Sequence, residues 1–127
     1  MSDHHEVLEQ LRRPTKELRK MIPDVWDGFL ALRGAALADG VVSARLKEAA
    51  ALAISVVKGC DGCIAYHAKA AARAGTNPDE VAELLGVAVL MDGGTATVYA
   101  PRAWEAFLEV AAVKLADGPS LRTAVGS

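Results

Sequence analysis

The sequence predicts an all-α protein, a compact bundle of about six helices. Three observations lead there. Apolar residues recur at three- and four-residue intervals along most of the chain. Alanine accounts for 25 of the 127 residues, and small side chains let helix axes approach closely. No segment alternates as a half-buried strand would: Val41-Val42 and Val56-Val57 are too short, and Val87-Ala88-Val89-Leu90 continues a helix already begun.

The elements follow in order. Leu8, Leu11, Leu18, Met21 and Ile22 give a first amphipathic stretch, with an interruption expected at Pro14. Pro23 suits a helix start, and Trp26, Phe29, Leu30, Arg33 and Leu37 recur behind it until Asp39-Gly40. Ser43 can cap a third helix through Ala50, Ala53, Ile54 and Val57, stopping at Gly59. A fourth begins at Cys60 or Asp61 and carries Ile64, Ala68, Ala71 and Ala72 to Gly75. Asn77-Pro78-Asp79-Glu80 is the clearest start, with a capping side chain, proline in the first turn and a glutamate placed to return a hydrogen bond. Val81, Leu84, Leu85 and Ala88 follow, and Gly93-Gly94 breaks the element. Trp104, Phe107, Leu108, Ala111 and Leu115 mark the last helix, which Pro101 either starts or kinks. The tail from Asp117 to Ser127 reads as loose.

Length and composition bound the function. Residues 1–127 suffice for one domain, with its core over about 20–116. Net charge is −2 and sequence pI about 5.9, so no basic stripe exists to neutralise nucleic-acid phosphates. Two cysteines three apart do not make a secreted disulfide scaffold. The first residues lack the pattern of a signal peptide. The longest nearly apolar run, Ala49 to Val57, has nine residues, against about 20 for a spanning helix. A cytoplasmic protein without membrane partners is therefore expected. Mean hydropathy of +0.21 in so small a chain points to self-association.

Chemistry concentrates in Gly59-Cys60-Asp61-Gly62-Cys63-Ile64-Ala65-Tyr66-His67. On a helix, Cys60, Cys63 and His67 fall at i, i+3 and i+7, one face. Adjacent turns hold the cysteine Cα atoms about 5–6 Å apart, within disulfide range. A tight reversal at Gly59 would bring Glu48 of the preceding helix beside His67, where a carboxylate can orient the imidazole. A helix N-terminus stabilises a thiolate, but acidity alone achieves little. Lowering a thiol pKa from about 8.5 to about 6.5 raises the thiolate fraction at pH 7 roughly 25-fold. Nucleophilicity falls roughly eightfold at a Brønsted slope near 0.45, leaving about a threefold gain. Rate must come from positioning and from protonating the departing atom, which a His–Glu relay supplies.

Other readings of these residues stay open. Cys60, Cys63, His67 and Glu48 could ligate a structural zinc, though no second knuckle exists. The cysteines could be packed as small apolar residues. A thioredoxin-type motif would need a preceding strand, and an Ala-rich helix stands there. His4 and His5 read as solvated, and Tyr66 as core packing. Trp26, Phe29, Trp104 and Phe107 read as core or subunit interface.

Glu48, then twelve positions to Cys60-x-x-Cys63, then His67, resembles the signature of the alkylhydroperoxidase D-like proteins of the carboxymuconolactone decarboxylase family. Cys63-Ile64-Ala65-Tyr66-His67 and the downstream Leu85-Gly86-Val87-Ala88-Val89-Leu90-Met91, followed by Gly93-Gly94, extend the likeness. The resemblance implies an all-helical fold, a homotrimer or homohexamer, and reduction of hydroperoxides or disulfides without a bound cofactor. Cys63 would be oxidised to a sulfenic acid, Cys60 would supply a proton and close the disulfide, and His67 with Glu48 would relay protons. An external dithiol or lipoyl-type donor, or a peroxiredoxin, would be the redox partner. The best-known members carry a histidine between the cysteines, where this chain has Gly62, so one branch of the relay is absent. Decarboxylase members, which would act on a small carboxylated lactone with His67 as acid/base, are not expected to have the cysteine pair.

Overall fold

The computed structural model describes residues 3–117. Six helices follow in order: α1 (Asp3–Met21), α2 (Pro23–Leu37), α3 (Ala44–Lys58), α4 (Asp61–Arg73), α5 (Pro78–Asp92) and α6 (Gly94–Asp117). No strand occurs among the described residues, and no helix there is long and apolar enough to cross a membrane. The expected loose tail, beyond Asp117 at the end of α6, lies outside the described residues.

Local chemistry sets most of the boundaries. The Ser43 hydroxyl accepts from the Leu46 amide at 3.3 Å, and Asp39 accepts from the Ala44 amide at 2.7 Å, so two first-turn donors of α3 are satisfied. Asn77 and Glu80 form a reciprocal capping box on α5. α3 and α4 both end in Schellman motifs. Gly59 (φ 62°) donates to the Val56 carbonyl and Cys60 to that of Ser55. Gly75 (φ 80°) donates to Ala72 and Thr76 to Ala71. The buried Thr76 hydroxyl then donates to the Arg45 carbonyl at 2.9 Å, tying the end of α4 to the start of α3.

Helices α3 to α6 enclose the core. Ten of its sixteen buried residues are alanine, with Leu52, Val56, Ile64, Val81, Leu85 and Phe107 filling the larger spaces. That composition lets α4 lie against both α3 and α6. α1 packs on the outer side of α4, whereas α2 buries no residue.

Several expectations are corrected. α1 runs unbroken through Pro14, which sits on an exposed face where water can satisfy the carbonyl it leaves unpaired. α6 begins at Gly94 and continues through the exposed Pro101, so of the two readings of that proline the one within a longer helix holds. His4 is not solvated: it is 6% exposed, and with the first turn of α1 it lines a small cavity beside Asp61, Arg102 and Glu105. Tyr66 is not a core residue, since it faces outward beneath Arg33. Phe107 is fully buried and stacks with Trp104, while Phe29 lies on the surface.

Candidate active site

The reversal at Gly59 builds the site. Its left-handed conformation turns the chain within two residues, so α4 returns antiparallel along α3. A side chain at Gly59 would also meet the Tyr99 ring at 3.6 Å. Cys60 is the N-cap of α4 and occupies the place usually taken by a serine or aspartate oxygen; its Sγ accepts from the Cys63 amide at 3.2 Å. Cys60 and Cys63 are joined as a disulfide, with Cα atoms 5.2 Å apart. Cys63 lies on an exposed part of α4, whereas Cys60 is half-buried.

One turn past Cys63, His67 meets Glu48 of α3, with Nδ1 and Oε1 2.8 Å apart. Both side chains are largely shielded, at 19% and 13% exposure. An ionised carboxylate only accepts, so Nδ1 carries the proton of this bond and Nε2 is the nitrogen left to take up or release one. The spacing-derived set is thus brought together on two adjacent helices: the sulfurs at the N-terminus of α4, and the imidazole and its carboxylate further along. Among the described residues, no group of three or more His, Cys, Asp and Glu side chains is arranged to hold a metal ion.

Three supporting contacts were not legible in the spacing. Arg102 of α6 pairs with Asp61, directly after the first cysteine, at 3.3 Å, and its guanidinium lies over the Tyr99 ring. That contact anchors the motif to α6. Arg33 of α2 lies 4.7 Å over the Tyr66 ring, whose edge meets the His67 ring. Leu11 of α1 rests on the backbone at Gly62: a Cβ there would be 3.5 Å from Leu11 Cδ1. Arg33 carried a faint signal, being the one charged residue in the apolar stripe Trp26, Phe29, Leu30, Arg33, Leu37. Arg102, Tyr99 and Leu11 carried none, because they reach the motif only through tertiary packing.

The model of the carboxymuconolactone decarboxylase family matches residues 23–106, from the start of α2 into α6. The chain belongs to the carboxymuconolactone decarboxylase family. A crystal structure of an apo family member from Legionella pneumophila has the same fold, with TM-score 0.83 and 33% identity over 87% of this chain and 99% of that one. An uncharacterized protein of Cupriavidus necator is 33% identical over 96 residues, covering 76% of this chain and 85% of its own. An uncharacterized protein of Haemophilus influenzae is 35% identical over 106 residues, covering 84% and 94%. A third relative, uncharacterized protein 4 in the cox locus of Paracoccus denitrificans, is 38% identical over 77 residues, covering 61% and 69%. α1 lies before the segment that the family model matches, and Leu11 on it reaches the backbone at Gly62.

Proposed function

We propose that the protein is a thiol-dependent oxidoreductase of the alkylhydroperoxidase D type, reducing hydroperoxides or disulfides. The observation that carries this reading is the Cys60–Cys63 pair at a helix N-terminus, with the shielded His67–Glu48 pair on the adjoining turn. Each member has a task. The Cys63 thiolate attacks the distal oxygen of R–O–OH, breaking the O–O bond and taking the transferred oxygen as a sulfenic acid. The departing alkoxide takes a proton through His67, and Glu48 steadies the imidazolium. Cys60 then attacks the sulfenic sulfur, forming the disulfide and releasing water. An external dithiol, free, lipoyl-borne or on a peroxiredoxin, restores the two thiols and is itself oxidised to a disulfide. Electrons balance: two thiols and one hydroperoxide yield one disulfide, one alcohol and one water. With Gly62 between the cysteines, the relay runs through His67 and Glu48 alone.

The assembly expected is a homotrimer or homohexamer acting in the cytoplasm. α2 supports the assembly, since Val25, Phe29 and Leu32 share one of its faces at i, i+4 and i+7 and all are exposed.

The test is a peroxidase assay with candidate dithiol donors on the wild-type chain and each Cys→Ser variant. Mild peroxide should remove two free thiols per chain, and Cys63→Ser should abolish turnover. Continued peroxide consumption by Cys63→Ser would overturn the mechanism.

A further inference from the structure

We propose that the groove between α1, α2 and α4 binds an amphipathic organic anion, an acid group on an aliphatic or aryl body, and presents it to the Cys60–Cys63 turn. The second clause rests on the redox reading above; the first does not.

The groove is open to solvent and has a volume of about 490 Å³, within the range of small-molecule sites. Its apolar wall is Leu8, Leu11, Trp26 and Tyr66, and its charged wall is Arg12, Lys16 and Arg19. Gly62, between the two cysteines, is part of the lining, so the groove abuts the redox motif directly.

The charge is not generic. The chain carries a net −2, yet residues 12–20 hold five basic side chains and one acidic one. Basic residues near the end of a helix complement its dipole within the last turn, and that accounts for Arg19 and Lys20 at the end of α1. It does not account for Arg12 and Lys16. These recur with Arg19 at i, i+4 and i+7, one face of α1, and that solvent-exposed face borders the groove that Trp26 and Tyr66 also line. Glu9 and Asp27 pair with Arg12 and Arg19, but both pairs are exposed, and exposed pairs are weak enough to yield to an incoming acid group. Apolar rings and leucines beside three cations match one ligand chemistry: an oil-like body bearing a carboxylate or phosphate. A neutral hydroperoxide would leave the cations unused.

Decanoate, decyl phosphate and decanol, all below micellar concentration, serve as unreactive probes. Binding is read by Trp26 fluorescence in a Trp104→Phe background and by calorimetry on the unaltered chain. At least one of the two anions should bind tenfold or more tightly than decanol and weaken with added salt; which anion does so identifies the head group. The double variant Arg12→Glu/Lys16→Glu should reduce that preference at least tenfold. Should charge reversal impair folding, Lys16→Gln gives the same readout with a smaller decrease. Equal affinity for decanol and both anions, no binding of any probe, or an anion preference untouched by the variants would overturn the site. For presentation to the cysteines, the ratio of kcat/KM for a fatty-acid hydroperoxide over cumene hydroperoxide should fall at least tenfold in the double variant, through KM. An unchanged ratio would overturn presentation. Anion binding by a chain that turns over neither hydroperoxides nor disulfides would leave the site standing and remove the redox reading instead.

Discussion

Helices α4 and α2 are similar in length and opposite in use. α4 buries Ile64, Ala65, Ala68, Ala71 and Ala72, four of them alanines, and is held between α3 and α6. α2 has only three charged residues in fifteen, Asp24, Asp27 and Arg33, and yet buries none. Its Val25, Phe29 and Leu32 are 68%, 55% and 65% exposed. Helical periodicity therefore reports that a face is apolar and not what will cover it. Small residues mark the helix that fits inside this chain; large ones mark the helix whose apolar face this chain leaves uncovered.

Substitutions can break or sharpen that contrast. The largest expected change in stability is at Ile64, fully buried on α4: Ile64→Ala should cost about 2–5 kcal/mol in chemical denaturation. Next comes the positioning contact between α3 and α4. Glu48→Gln keeps the shape of the pair but loses its charge, and should lower turnover on the order of a hundredfold in a steady-state peroxidase assay. A smaller loss, roughly 1–2 kcal/mol by thermal unfolding, is expected for Gly59→Ala; the left-handed turn resists a Cβ, while the nearest ring atoms of Tyr99 remain at ordinary contact distance. The smallest effect falls on α2. Phe29→Ser should change the stability of the isolated chain by no more than about 0.5 kcal/mol, while sedimentation shows a shift toward the 13.3 kDa monomer. A destabilisation of the isolated chain as large as that of Ile64→Ala would erase the distinction between the two helices.

What could be read ahead of the structure divides along the same line. The capping box at Asn77 and Glu80, the Ser43 cap and the Gly59 stop were legible because each is a matter of neighbours within a few residues. The approach of Glu48 to His67 was legible because a single tight turn separates their helices. Pro14 misled, since an interior proline disfavours a helix without always ending it, and here the carbonyl it leaves unpaired is on a face open to water. His4 and Tyr66 misled for the converse reason. Their surroundings come from elements distant in the chain: Arg102 and Glu105 in one case, Arg33 in the other. Alanine abundance pointed to close helix packing, but not to which helix would be left outside.

The reversal at Gly59 has a consequence for how the four groups are assembled. Glu48, Cys60, Cys63 and His67 all fall within a twenty-residue stretch, a helical hairpin whose contacts are short-range and quick to form. One local hairpin therefore fixes the relative placement of all four groups. Substitutions in α1 or α2 should therefore leave the spacing of those four groups as it is, since all four lie on α3, α4 and the turn between them.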